Sequence, residues 1–183
     1  APSSVTATDK SKMYGAGLPS FTAQFTGFVN NDTVANLAVQ PAFSTTGSAS
    51  SSVGNYPITV SAAASPNYNV TFVAGTLFVT RAPLTITADD KISVLGGALP
   101  PLTAGYVGFV NNDTAASLTT PVTLNTTATA SSPLGNYPIT WNGATSANYP
   151  IQFGPGPLTS WPQTVPGSPW THHAGSPNGN RMW

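Results

Sequence analysis

The chain has no cysteine, no glutamate, and only five basic and five acidic residues in 183. Without cysteine there is neither a disulfide framework nor a thiolate metal site, so stability has to come from packed apolar side chains. A unit of about 80 residues can supply such a core, with a small margin. The acids are Asp9, Asp32, Asp89, Asp90 and Asp113, set against Lys10, Lys12, Lys91, Arg81 and Arg181, and the formal charge is zero. A nucleic-acid interface needs a basic face that releases phosphate counterions, which so few scattered cations do not make. No run of about 20 apolar residues is present to span a bilayer as a helix. Helix formers of the Glu, Lys, Arg and Gln kind are scarce. What is abundant is Ser, Thr, β-branched and aromatic residues, punctuated by 17 Gly and 18 Pro, the profile of all-β structure. Such a polar but uncharged surface reads as an extracellular module. Starting at Ala1 without an initiator Met or a signal-peptide pattern, the sequence is expected to be a piece of a longer protein or a mature product.

These residues are arranged periodically. GFVNNDT runs from Gly27 to Thr33 and again from Gly108 to Thr114, an offset of 81 residues. The same offset carries Asp9-Lys10 onto Asp90-Lys91, Gly54 to Thr59 (GNYPIT) onto Gly135 to Thr140, and Asn67-Tyr68 onto Asn148-Tyr149, without a gap. Between residues 5–72 and 86–153, 34 of 68 positions are identical. The chain is therefore a tandem array of one unit.

Within a unit, alternation in Val5-Thr6-Ala7-Thr8 and Leu84-Thr85-Ile86-Thr87-Ala88 predicts a half-buried first strand. Gly15, Gly17 and Pro19, matched by Gly96, Gly97 and Pro100, mark a turn. Phe21, Ala23 and Phe25, like Leu102, Ala104 and Tyr106, share one face of the next strand. Asn-Asn-Asp in GFVNNDT is turn chemistry, because these residues tolerate the left-handed backbone region. Asp32 or Asp113 is expected to cap one helical turn over Val34 to Leu37 or Ala115 to Leu118. Tyr56, Ile58 and Val60, and Tyr137, Ile139 and Trp141, alternate in a strand whose Pro implies an edge position or an outward-facing N–H. Tyr68, Val70 and Phe72, with Tyr149, Ile151 and Phe153, predict another strand, and Leu77-Phe78-Val79-Thr80 closes the unit. The copies join through Arg81-Ala82-Pro83 with no Gly/Ser spacer, which predicts a semi-rigid, elongated pair.

Catalytic constellations are missing. Asp89-Asp90 is the one adjacent carboxylate pair, and neighbouring strand residues face opposite sides of a sheet. His172 and His173 lie outside both repeats, so a Ser/His/Asp triad would have to rest on a tail with no visible periodicity, and they read as incidental more readily than as a metal pair. No GxGxxG follows a strand, and neither a Walker-type GK[ST] nor HExxH occurs. Asn30, Asn31 and Asp32, with Asn111, Asn112 and Asp113, offer one carboxylate per turn, where Ca²⁺ wants six to eight oxygens. Asp32 and Asp113 are thus calcium candidates whose simpler reading is a turn and cap. Four N-x-[ST] sequons, at Asn31, Asn69, Asn112 and Asn125, are what so Thr-rich a composition yields. Tyr56, Tyr68 and Phe72 read as core in preference to a sugar platform. No cofactor is indicated.

Asp9-Lys10-Ser11-Lys12-Met13-Tyr14-Gly15 with Leu18-Pro19, then GFVNNDT, VGNYPIT, NYNVTF and GTLFVT, resembles the MBG domain of the YGX type over roughly residues 4 to 158. In the second copy Leu95 replaces Tyr14 and Ser93 replaces Lys12, so its YG element is degraded. The resemblance implies a repeat of large exported bacterial surface proteins, including haemagglutinin-like adhesins, with neighbouring repeats as partners and no catalytic residues to carry over. The residues expected to hold the repeat together are Gly27, Asn31, Asp32, Gly54 and Tyr56, and Gly108, Asn112, Asp113, Gly135 and Tyr137. GxY followed by alternation resembles an immunoglobulin-like corner. The expected fold is two tandem Ig-like β-sandwich repeats, each with a short helical turn, with a β-grasp-like α+β arrangement as the alternative. The expected domains are 1–82, 83–158 with a degraded final strand and hence lower stability, and an irregular, disordered Pro/Gly/Trp-rich tail at 159–183. An out-of-frame remnant of a third copy would explain that tail. The function expected is a structural spacer or stalk, with weak multivalent adhesion to a glycan or surface protein as the alternative.

Overall fold

In a computed structural model, residues 1–163 are described; His172-His173 and most of the expected disordered tail lie outside them. The described chain is all-β, with seven strands per repeat and no α-helix, so the α+β alternative does not apply. The first repeat contains β1 (Pro2–Ala7), β2 (Lys10–Met13), β3 (Ala23–Thr26), β4 (Ala42–Thr45), β5 (Gly54–Ser61), β6 (Asn69–Val73) and β7 (Gly75–Thr80). The second contains β8 (Leu84–Ala88), β9 (Lys91–Val94), β10 (Ala104–Val107), β11 (Thr120–Thr126), β12 (Gly135–Thr145), β13 (Ile151–Gly154) and β14 (Gly156–Trp161).

Each repeat builds a three-stranded and a four-stranded sheet. The orders are β3-β1-β6 and β2-β7-β5-β4 in the first copy, and β10-β8-β13 and β9-β14-β12-β11 in the second. β1 runs antiparallel to β3 and parallel to β6, while β7 runs parallel to β2 and antiparallel to β5. Alternation puts Val5 and Ala7 of β1 inward against Ile58 and Val60 of β5 and Leu77 and Val79 of β7. Ile58 and Leu77 are completely buried, each contributing about 1.5–3 kcal/mol relative to an exposed side chain. In the second copy Ala88, Ala128, Ile139 and Leu158 pack together, with Leu102, Leu124 and Tyr137 against them. This is a β-sandwich-like core made by inward-facing positions of two sheets.

Three expectations need correction. The final strand of the second repeat is intact: β14 pairs with β12 and β9 in the register that β7 holds with β5 and β2. Leu158-Thr159-Ser160-Trp161 looks unlike LFVT, but the inward positions Gly156, Leu158 and Ser160 are buried as Gly75, Leu77 and Val79 are. Only one inward residue loses its apolar character, Val79 becoming Ser160, so the strand survives. Second, of the two placements the Pro allowed, an edge strand or an outward-facing N–H, the edge does not hold, since β5 and β12 are interior strands. Pro57 is accommodated because the β4 ladder reaches only to Ile58. Third, Trp141 does not take the buried place of Val60, which is 5 % exposed; it is 36 % exposed and stacks on Phe153 at 5.0 Å. The strands β2 and β9 carry no clean alternation and are not evident in the sequence.

The chain divides into two compact units. One comprises Ala1–Ile86, Tyr106–Val122 and Gly143–Gln152; the other comprises Thr87–Gly105, Thr123–Asn142 and the described residues from Phe153 onward. The first unit thus joins the first repeat to the GFVNNDT end of the second.

Candidate functional site

GFVNNDT is shaped by its backbone. Gly27 and Gly108 have φ of 86° and 115°, and a Cβ there would stand 2.4 and 2.3 Å from the carbonyl oxygens of Pro2 and Pro83. Asn30 and Asn31, with Asn111 and Asn112, occupy the left-handed region at φ between 56° and 61°, as their turn chemistry allows. A single 3-10 turn follows, Val34–Asn36 or Ala115–Ser117. Its cap is not the aspartate. Thr33 and Thr114 sit in extended backbone, and their hydroxyls accept from the N–H of Ala35 and Ala116, while the Asn36 and Ser117 side chains accept from the Thr N–H. This reciprocal arrangement is a capping box.

The aspartates are turned to tyrosines. Tyr68 Oη donates to Asp32 Oδ2 at 2.8 Å, and Tyr149 Oη donates to Asp113 Oδ2 at 2.6 Å. Val29 and Val110 N–H donate to the same phenolic oxygens, each at 3.1 Å. Tyr149 also approaches Val110 O at 3.2 Å, but one hydroxyl proton cannot serve both acceptors, and the shorter contact to the charged oxygen takes it. Phe28 and Phe109 meet these rings edge to face at 5.1 and 5.4 Å. Among the described residues no three His, Cys, Asp or Glu gather into a metal-holding group.

Asp113 has a second donor, supplied by the first repeat. Tyr14 Oη donates to the same Oδ2 at 3.0 Å, and the Tyr14 ring meets Tyr149 edge to face at 5.5 Å and 85°. Gly15 follows at φ 80°, and a Cβ there would lie 2.5 Å from the Val110 side chain. Val53 N–H donates to Asn148 Oδ1 at 3.0 Å, and Ala82 N–H donates to Asn148 O at 3.0 Å. The Tyr-Gly turn of one copy is therefore seated on the Asn-Tyr and Asn-Asp elements of the next, all inside the first compact unit. Burial comes first in pushing the Tyr149 hydroxyl up to about 12, followed by its bond to Asp113 and repulsion from Asp113 and Tyr14, against the favourable Val110 N–H. At Tyr68 the Val29 N–H acts to lower the pKa, but desolvation and Asp32 outweigh it and the net direction is upward.

Lys12 supports the Tyr-Gly turn from behind. It is only 6 % exposed, and its Nζ donates to Ala16 O at 2.9 Å and Ala49 O at 2.8 Å. Burial lowers its pKa, and the carbonyls compensate the ammonium in place of a carboxylate. In the second repeat Ser93 replaces Lys12, and the carbonyl of Ala130, the counterpart of Ala49, accepts instead from Gly96 N–H at 2.8 Å. Leu95 in the Tyr14 position is 38 % exposed, and Gly96 has open space where a Cβ would go.

Of the other expected motif residues, Tyr56 and Tyr137 donate to the carbonyls of Ser52 and Pro133, four residues upstream, at 2.9 and 2.8 Å. These are tyrosine corners of the immunoglobulin kind. Gly54 and Gly135 have room for a Cβ and are not demanded by space. The sequence motifs brought Asp113 into view but not its donors Tyr14 and Tyr149, nor the part Lys12 plays behind the Tyr-Gly turn. Their signal was the joint replacement of Lys12 and Tyr14 in the second copy.

A depression of about 420 Å³ lined by Thr6, Ala7, Thr8, Asp9, Gln24 and Ala74 contains one carboxylate and no histidine. No helix among the described residues is long and apolar enough to cross a membrane. A search of curated proteins gave no match. The profile of the MBG domain (YGX type) matches twice in tandem, over residues 4–78 and 84–159. Repeats of this family occur in bacterial surface proteins and form a non-catalytic domain class. With most of its length matched and Tyr14-Gly15 in a defined structural role, the chain belongs to the MBG domain family of the YGX type.

Proposed function

We propose that the chain is a non-catalytic structural spacer within a larger exported bacterial surface protein, in which the first repeat is fixed to the second by a seated Tyr-Gly turn. The observation that carries this reading is the double donation to Asp113 by Tyr149 of its own repeat and Tyr14 of the preceding one. A spacer needs restricted joints, and hydrogen bonds to a charged group in a half-buried setting restrict one better than a short linker alone. The one-carboxylate turns suit this role and leave calcium without an adequate ligand set.

Adhesion to a glycan or surface protein through avidity would need one equivalent site per copy. The Trp141–Phe153 stack, the best aromatic platform, has Val60 and Phe72 as its counterparts in the first repeat, so it is not repeated.

The absence of cysteine allows spin labels to be placed at will. With labels at exposed Asn55 and Thr119, a narrow distance distribution is expected, broadening on Tyr14→Ala. A broad distribution in the parent protein would remove the spacer reading, and specific glycan-array binding would support adhesion.

A further inference from the structure

The seat occupied by Tyr14 on the second repeat also exists, atom for atom, on the first. Ala1 and Pro2 stand one period before Ala82 and Pro83, and Ala1 N donates to Asn67 O at 2.6 Å as Ala82 N does to Asn148 O. Val29 N–H, Tyr68 Oη and Asp32 Oδ2 repeat the arrangement of Val110, Tyr149 and Asp113. What differs is the cover. Val29 is 48 % exposed while Val110 is half-buried, Tyr68 is 8 % exposed against 2 % for Tyr149, and Asn67 is exposed while Asn148 is half-buried. Asp32 Oδ2 has one tyrosine donor where Asp113 Oδ2 has two.

We infer that the face formed by Val29, Asp32, Asn67 and Tyr68 is a docking seat for the Tyr-Gly turn of another repeat of this type. The occupant is specified by the filled twin. It must bring a phenolic hydroxyl to the free side of the carboxylate, a ring set edge to face with Tyr68, and a glycine where the valine side chain leaves no room for a Cβ. The second repeat cannot be that occupant. Leu95 has no hydroxyl, and Ser93 cannot hold the turn as Lys12 does, so docking has one direction and the second repeat donates to nothing through this turn.

The inference deepens the spacer reading and is tested apart from it. Residues 1–81 placed ahead of Ala1 of the full chain restore the Arg81-Ala-Pro junction in register. Amide exchange at Val29 is expected to slow about tenfold, since its N–H donates to the tyrosine that becomes covered. Tyr14→Phe in the added copy alone should return most of that protection. Lys12→Ser with Tyr14→Leu in the added copy, which imitates the second repeat, should return all of it. Exchange at Asn55 and Thr59 within the same repeat serves as the control for folding. Equal Val29 exchange with and without the added copy, or equal protection from its Tyr14 and Tyr14→Leu forms, would overturn the inference. Such a failure would leave the spacer reading standing if the Asn55 to Thr119 distance were still narrow, because that reading rests on Tyr14 and Asp113.

Discussion

Tyr14→Phe removes one oxygen from the joint and keeps the ring. The lost bond is 3.0 Å long and ends on a carboxylate, a class worth about 1.5–3 kcal/mol. Asp113 keeps Tyr149 at 2.6 Å, so the carboxylate is not orphaned and the low end, about 1.5 kcal/mol, applies. The edge-to-face contact with Tyr149, worth about 0.5–1.5 kcal/mol, is retained. In an array stabilised by each repeat and by its neighbour contacts, the loss appears in whichever repeat unfolds first. With a urea slope of roughly 1.5 kcal/mol per molar for a unit this size, the first unfolding midpoint should fall by about 1 M. Far-UV dichroism follows both copies. Tryptophan fluorescence follows the second, because the first repeat has no Trp. Tyr56→Phe, which removes a bond of 2.9 Å inside the first repeat, separates local from joint effects: in a cycle with Asp113→Asn it should show no coupling, whereas Tyr14→Phe should. Unchanged midpoints by both probes for Tyr14→Phe, or zero coupling to Asp113→Asn, would refute the reasoning.

Two further outcomes follow from the same joint. Gly15 and Gly96 have nearly the same φ, 80° and 82°, but only Gly15 faces a neighbour, Val110; alanine at either costs about 1–2 kcal/mol of left-handed strain, and Gly15→Ala should cost roughly 1–3 kcal/mol more through overpacking. Thermal or urea melts of the two variants check this, and equal losses would mean the glycine is needed for its turn alone. Alkali should act through Tyr149: its folded pKa lies above the ordinary 10.0 at about 12, so the folded state holds a proton that the unfolded chain releases. That stabilisation is complete below pH 10 and is lost as pH rises towards about 12. Lys12 slopes the other way because burial lowers its pKa, but it is present in both proteins compared. The stability difference between the parent and Tyr149→Phe should therefore shrink across that window, and a constant difference would contradict the assignment.

Much of the architecture was legible because it rests on period-two alternation. β1, β5 and β7 place Val5, Ile58 and Leu77 inward as their spacing requires, and the 81-residue offset transfers the same strands to the second copy. The final strand of the second repeat is hard to see in the sequence for a physical reason: only its inward positions are constrained, and Thr159 and Trp161 face outward, where any residue is tolerated. The aspartate in GFVNNDT was recognised as a turn element but assigned the neighbouring threonine's role. Local hydrogen-bonding rules favour either residue as a cap, and the tyrosine that claims the carboxylate is 36 residues away. Tyr14 lies 99 residues from Asp113, beyond any local rule. β2 and β9 are short strands whose partners come from the far end of the repeat, so propensity had little to act on.

The parallel pairing of β2 with β7, and of β9 with β14, has a mechanical consequence. The second strand of each repeat lies beside the strand by which the chain leaves it, and the two point the same way. Tension applied along the chain pulls the beginning of one strand and the end of the other in opposite directions along their shared ladder. The bonds between Lys10–Met13 and Leu77–Thr80 are then loaded together in shear, not opened one after another, so the ladder that closes each sandwich is also placed to resist stretching.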